Sequence, residues 1–332
     1  MEFLYFKKLY QNERLCEFKA KNKEEWLNWR ENFRLKLIEL LGGFPERCVF
    51  NLRVLNTKDF EDYKRELIIF NSAEDIEVYA YLLTPKKVEF PVPAVIAIPG
   101  HGIGMNDAVG LDEDGNEREV PSGYMKDFGI SLVKEGFITL VIEQLGFGYR
   151  KLVKNNKSSS CRELFFWALM LGKTVIGLRV WDIIRSIDLL QSFPEVKKDS
   201  IGIYGISGGG TSSLFASALD DRIKATVISG YLNTFKDSIL SISHCECNYL
   251  YGILKYAEMY DIAGLIAPRF LFIEHGIKDP IFPIEATKFS FSKVKKVYDF
   301  LNASNNLDYE FFEGGHEIWG NKSFKWLKNV LA

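Results

Sequence analysis

Residues 201–210 read Ile201-Gly202-Ile203-Tyr204-Gly205-Ile206-Ser207-Gly208-Gly209-Gly210 and run on into a stretch of small side chains. The short apolar run at 201–204 predicts a buried strand, and the small residues of 209–218 predict a helix packed closely on it. Between them lies Gly205-Ile206-Ser207-Gly208-Gly209, a G-x-S-x-G turn. A serine exposed on so sharp a strand-to-helix turn requires little bulk on either side, because the strained backbone must pass close to its neighbours. Glycines on both sides meet that requirement, and Ser207 is the candidate nucleophile.

Further apolar runs of strand length lie at 94–98, 137–142, 225–229, 269–273 and 309–312, alternating with helical patterns at 125–135, 162–191, 284–301 and 322–331. Strands that read as buried on both faces and alternate with helices predict an α/β fold, a mostly parallel central sheet with helices on both faces. Two runs, 63–70 and 76–83, flank Asn71-Ser72-Ala73-Glu74-Asp75 and predict an antiparallel entry hairpin. Ahead of them, Asn22 with Glu25 three residues on starts an amphipathic helix that stops at Gly42-Gly43. The organisation expected is an N-terminal helical extension over 1–60 and a catalytic domain over 61–332 with a cap insertion at about 232–265. A polar run, KNNKSSS, occupies 154–160.

Composition narrows the function. With 332 residues, 47% hydrophobic and 26% charged, the chain is globular. Lys+Arg 42 against Asp+Glu 44 leaves no positive field for a nucleic-acid backbone. The apolar stretch 164–178 is interrupted by Lys173 and is shorter than the roughly 20 residues a membrane span needs, so it predicts a buried helix. The N-terminus, MEFLYFKKLYQNERLC, has no sustained apolar core and predicts no signal peptide. Five sparse cysteines fit a reduced, cytoplasmic protein. Aromatic content is high at 14%, and composition alone does not divide it between core and pocket.

A serine nucleophile needs a base and an orienting acid, which in a strand-turn-helix architecture of this kind follow it in the order acid, then histidine. His316, in Glu313-Gly314-Gly315-His316-Glu317, follows the last predicted strand on a loop able to reach the sheet's C-terminal edge. Asp279 lies on the preceding loop of the same edge and is the candidate acid, with Glu274 in reserve. His275 and His244 read as hydrogen-bonded structural residues. For the oxyanion, the Gly208 amide is one donor, and the loop Pro99-Gly100-His101-Gly102-Ile103-Gly104 supplies the second, His101 ahead of Ile103.

Taken together, IPGHG at 98–102, EQLGFGYR at 143–150, GISGG at 205–209, LIAPRFLFIEHGIKDPIFP at 265–283 and EGGHE at 313–317 resemble the α/β-hydrolase superfamily, specifically its dienelactone-hydrolase-like and acetyl-xylan-esterase-like branch. The resemblance spans about residues 60–331. It implies Ser207 as nucleophile, Asp279 as acid, His316 as base, Gly208 and His101 as oxyanion donors, and an ester of a small acyl group such as acetyl as substrate. Dienelactone hydrolases proper carry cysteine where this chain has Ser207, which argues against that reaction.

His244-Cys245-Glu246-Cys247 offers metal-ligand residue types, yet a Cys-x-Cys without a second, distant pair does not make a four-ligand zinc site. No metal and no cofactor are expected. With Tyr249, Tyr251, Tyr256, Met259 and Tyr260, the same segment predicts a cap over the active site, whose aromatics either pack the cap, the favoured reading, or stack on a sugar. Asp112-Glu113-Asp114-Gly115-Asn116 lacks the register and distal Glu of a calcium loop and predicts a solvated loop. The partner expected is a small-molecule ester, with no nucleic acid, no membrane and homo-oligomerisation open. A peptidase of the prolyl-oligopeptidase type would usually bring a propeller that the roughly 70 residues ahead of the sheet cannot hold; small-amide hydrolysis stays open. A non-catalytic binding protein on the same fold would be expected to lose a triad residue, and none is lost.

Overall fold

The computed structural model describes residues 4–152 and 159–332; residues 154–158 of the polar run lie outside the described residues. Among the described residues nine strands form one sheet: β1 (Arg53–Asp59), β2 (Tyr63–Ala73), β3 (Ile76–Pro85), β4 (Val92–Ile98), β5 (Ile138–Ile142), β6 (Val196–Ile206), β7 (Ile223–Ser229), β8 (Phe270–Gly276) and β9 (Leu307–Phe312). Their spatial order is β1-β2-β3-β5-β4-β6-β7-β8-β9, antiparallel from β1 through β5 and parallel from β5 through β9. The path runs from β4 outward to β5, then returns to lay β6 on the other side of β4. That reversal makes the C-terminal ends of β4 and β6 a topological switch point, the place where open α/β sheets bind ligands.

Among the described residues, ten α-helices accompany the sheet: α1 (Leu4–Gln11), α2 (Lys23–Leu40), α3 (Met105–Ala108), α4 (Phe128–Lys134), α5 (Cys161–Met170), α6 (Val175–Leu190), α7 (Gly208–Leu219), α8 (Met259–Gly264), α9 (Ile284–Phe300) and α10 (Ser323–Leu331). Strand alternation sorts the core into two layers. Ala94, Ile96 and Ile98 of β4, with Ile201 and Ile203 of β6, face one cluster built with α2, α6, α7 and α9. Val95 and Ala97 of β4, with Tyr204 and Ile206 of β6, face a second built with α4 and α10. Both faces of the central strands are therefore dry, which is why they read as unbroken apolar runs.

Four features differ from the sequence reading. The single helix expected over 162–191 is two, α5 and α6, bent by 99°. Gly172 adopts φ +68, and Thr174 starts the second helix by accepting a hydrogen bond from the Gly177 amide at 2.9 Å. The stretch 164–178 is also not buried throughout: Trp167, Met170 and Leu171 are exposed while α6 is sunk in the core. Among the described residues no single helix is long and apolar enough to cross a membrane. Strand β1 is exposed at every residue, so it has no apolar alternation to reveal it, yet it pairs with β2 along the sheet edge. The sheet thus takes in residues 53–59, which the sequence reading assigned to the extension over 1–60. Finally, α4 starts at Phe128, because Lys126 and Asp127 are left-handed at φ +49 and +50.

Candidate active site

Ser207 sits between β6 and α7 at φ +56 and ψ −122, a conformation strained for any residue but glycine. The close approach it demands is visible at its neighbours: a Cβ on Gly205 would lie 2.2 Å from the Gly209 carbonyl oxygen, and one on Gly209 2.0 Å from that of Ile98. Neither position tolerates a side chain. The Ser207 amide donates to the Ser229 carbonyl at 3.0 Å, tying the turn to the end of β7. Gly208 opens α7, so its N–H belongs to the first turn, whose amides have no acceptor within the helix.

Asp279 and His316 meet. His316 Nδ1 lies 2.7 Å from Asp279 Oδ2, while Asp279 Oδ1 accepts from the amides of Ile281 at 2.8 Å and Phe282 at 3.1 Å. Burial pushes the Asp279 carboxyl up, but His316 and the two amides outweigh it and hold the group below its ordinary value. The His316 ring is layered between Phe282, at 5.7 Å and 21°, and Tyr124, at 5.5 Å and 29°. Both groups border Gly230, just past β7: a Cβ there would lie 3.1 Å from His316 Nδ1 and 3.6 Å from Asp279 Oδ2. Since Ser207 is bonded to Ser229, the imidazole and the serine turn share one rim of the sheet. With Nδ1 engaged by the carboxylate, Nε2 is the ring nitrogen free to exchange a proton.

The opposite wall is the loop after β4. A Cβ on Gly100 would fall 2.9 Å from Ser207 Cβ and 2.3 Å from Tyr124 Oη, so this loop abuts the serine directly. Tyr124 Oη donates to the His101 carbonyl at 2.5 Å, linking the loop to the ring that stacks on His316. The His101 side chain turns toward Gly208, where a Cβ would meet its Nδ1 at 3.1 Å, and rests against Phe147 at 4.6 Å.

Three polar residues that the sequence reading gave no role fix these walls. Gln144 Nε2 donates to the Pro99 carbonyl at 2.7 Å and its Oε1 accepts from Ser212 Oγ at 2.5 Å, tying the loop after β4 to α7. Glu143, fully buried, accepts from the amides of Met105 at 3.1 Å and Tyr149 at 3.3 Å; burial pushes its carboxyl up to about 7. Both lie in the EQLGFGYR stretch, whose polar pair at the end of an apolar strand was the available signal. Tyr124 had none, lying between a loop and a helix in the sequence.

Glu274, the reserve acid, is committed elsewhere. It is buried and accepts from Tyr204 Oη at 2.8 Å, Ser229 Oγ at 2.9 Å, Ser323 Oγ at 2.8 Å and the Gly320 amide at 2.8 Å. His275 Nε2 bonds the Phe282 carbonyl at 2.8 Å, and His244 Nδ1 pairs with Asn248 Nδ2 at 3.1 Å. In the region about 232–265, Leu232, Phe235, Ile239, Leu250 and Ile253 join the core. His244 reaches the site through Phe282, edge-on at 5.7 Å. The segment's tyrosines pack or point to solvent: Tyr249 Oη donates to the Ile239 carbonyl, and Tyr251 is exposed.

One expectation is reversed in its premise. The distant pair that Cys245 and Cys247 were said to lack is present in the fold, as His101 and Cys161, with all four donor atoms within 4.8 Å of one another.

Comparison with known proteins agrees with this architecture. The Abhydrolase family matches residues 5–312. YtaP of Bacillus subtilis strain 168, a candidate hydrolase, is 31% identical over 264 residues, covering 77% of this chain and 83% of that protein. Among solved structures, a candidate acetyl xylan esterase of Bacteroides fragilis superposes with a TM-score of 0.79 at 18% identity, over 94% of this chain and 83% of that one. A glucuronoyl esterase of Solibacter usitatus gives 0.68 at 14%, over 96% and 97%. Acetyl xylan esterase 1 of Thermoanaerobacterium gives 0.60 at 14%, over 98% of each chain. By its family match over residues 5–312, the chain belongs to the Abhydrolase family, and its fold is the one these esterase structures share.

Proposed function

We propose that the protein is a serine carboxylester hydrolase that works through an acyl-enzyme. The observation that supports this most is the His316 Nδ1–Asp279 Oδ2 contact of 2.7 Å on the same rim as a serine held at φ +56. Ser207 Oγ attacks the ester carbonyl and its proton passes to His316 Nε2. Asp279 stays ionised throughout, fixing the tautomer and stabilising the imidazolium. The developing oxyanion takes the amides of Gly208 and His101. Collapse of the intermediate expels the alcohol, which takes the proton from His316. Water, deprotonated by His316, then attacks the acyl-serine, and collapse returns the proton to Ser207 as the carboxylic acid leaves.

Small acyl groups are the favoured substrates, acetyl first, with a carbohydrate alcohol supported by the names of the fold neighbours. In the same reading the protein works in the cytoplasm on a small-molecule ester, with a catalytic unit that takes in the sheet from β1 onward and a helical extension ahead of it. The test is turnover of p-nitrophenyl acetate by Ser207→Ala, expected to fall about 10⁴- to 10⁶-fold; unchanged turnover would contradict the proposal. A parallel panel of acetylated xylo-oligosaccharides, methyl glucuronate and aryl anilides then sorts acyl, alcohol and amide selectivity.

A further inference from the structure

Behind the loop after β4, three separate chain segments bring sulfur and nitrogen donors to one point. His101 Nε2 lies 3.8 Å from Cys161 Sγ and 3.4 Å from Cys247 Sγ, and Cys247 Sγ lies 3.2 Å from Cys245 Sγ. All four donors fall within 4.8 Å of one another. A tetrahedral zinc ion bonds sulfur at about 2.3 Å and imidazole nitrogen at about 2.0 Å, so its sulfurs stand about 3.8 Å apart and each about 3.5 Å from the nitrogen. The cluster matches that spacing to within a few tenths of an ångström at the two His101 contacts, and a small rotation of Cys245 opens its short sulfur contact.

Charge gives a second, independent observation. Arg179, 3% exposed, pairs with no carboxylate among the described residues. Its guanidinium donates to the Leu145 carbonyl at 2.7 Å and to Cys161 Sγ at 3.3 Å, and lies over the Phe147 ring at 4.4 Å. A buried cation needs a countercharge, and here the nearest group able to carry one is sulfur. Three thiolates around one divalent ion carry a net charge of −1, which Arg179 cancels. A disulfide between any two of the cysteines would instead remove thiolate charge and leave the third thiol and the imidazole without a common ligand. Cys161 also begins α5, where the helix N-terminus favours its thiolate.

We propose that His101, Cys161, Cys245 and Cys247 form a closed, structural site for one zinc ion. Binding is not a redox step: each ligating thiol gives its proton to solvent as its sulfur bonds the metal. The ion joins the loop after β4, the start of α5 and the turn at 245–247, segments that no disulfide links. It also acts on the neighbouring site. With Nε2 on the metal, the neutral imidazole carries its proton on Nδ1, the nitrogen facing Gly208. Zinc would thus fix the ring, and through it the loop carrying one proposed oxyanion donor.

The test is metal binding by the reduced full-length protein, a readout that does not depend on the proposed hydrolysis. Protein purified with zinc under reducing conditions is expected to hold one equivalent by mass spectrometry, released when a mercurial titrates its thiols. Stripped anaerobically and titrated with cobalt(II), it is expected to develop the intense visible band of a tetrahedral cobalt thiolate, complete at one equivalent. Cys161→Ser should weaken that band, and Arg179→Gln, which leaves all four ligands in place, should lower metal affinity about 10- to 100-fold. Absence of the band in folded, reduced wild type, with zinc no higher than in a Cys161→Ser/Cys245→Ser/Cys247→Ser variant, would overturn the proposal. So would a disulfide joining two of the three cysteines in protein prepared reduced with zinc present.

Discussion

Two imidazoles flank the serine turn and are held in opposite ways. His316 is fixed by a carboxylate three residues past the end of β8, through one contact of 2.7 Å. His101 is fixed by sulfur, drawn from α5 and from the turn at 245–247. The first arrangement suits a group that must gain and lose a proton, because Asp279 stabilises the charged ring. The second suits a group that must stay put, since its Nε2 faces thiols rather than substrate. Two nearby carboxyls divide similarly: Asp279 leaves Oδ2 for a histidine, whereas Glu274 spends its oxygens on fixed donors from β6, β7 and the start of α10.

The largest effect expected from breaking this contrast is on the His316 side. Asp279→Asn should lower kcat for p-nitrophenyl acetate about 10⁴-fold by presenting the wrong partner to Nδ1; a loss under tenfold would remove Asp279 from its role. Glu274→Gln should act on stability instead, because its amide would turn N–H groups toward buried donors. A cost of about 1–3 kcal/mol in urea unfolding is expected, with kcat of the folded enzyme within a few-fold of wild type. Equal kcat losses in the two variants would erase the distinction.

Glu143 sets a pH dependence under the same wall. Its carboxyl titrates near 7 in the folded protein against an ordinary 4.5, so the folded state keeps a proton that the unfolded chain gives up. The stability it contributes is complete below 4.5 and is lost as pH rises through about 7. Glu143→Gln mimics the protonated acid and should flatten the fall of unfolding free energy over that interval, by an amount on the order of 3 kcal/mol at the alkaline end. Asp261, also pushed up to about 7 by burial, and Glu258 and Asp127, pushed up for the same reason, contribute to the slope that remains. Identical slopes in variant and wild type would contradict this. The smallest effect is expected at Tyr124, which touches both imidazole regions. Tyr124→Phe keeps the ring on His316 but loses the bond to the His101 carbonyl, and kcat should fall about 2- to 10-fold.

What the sequence made legible follows from distance along the chain. Ser207, Asp279 and His316 each stand at or just past a strand, so the strand pattern alone lays them on one edge. The central strands were readable because both faces are dry. β1 was not, since every residue in it is exposed and only pairing with β2 defines it. The break between α5 and α6 turned on one glycine and one threonine cap within an apolar run. The sulfur cluster was invisible for the opposite reason: His101, Cys161 and Cys247 are 60 and 86 residues apart in succession, and only the tertiary fold brings them together.

The central claim, that Ser207 is an activated nucleophile, is tested most directly by intact-protein mass spectrometry after exposure to a fluorophosphonate. A single adduct is expected, mapped to Ser207, absent from Ser207→Ala and strongly slowed in His316→Ala. No adduct on wild type, or labelling at another residue that persists in Ser207→Ala, would contradict it.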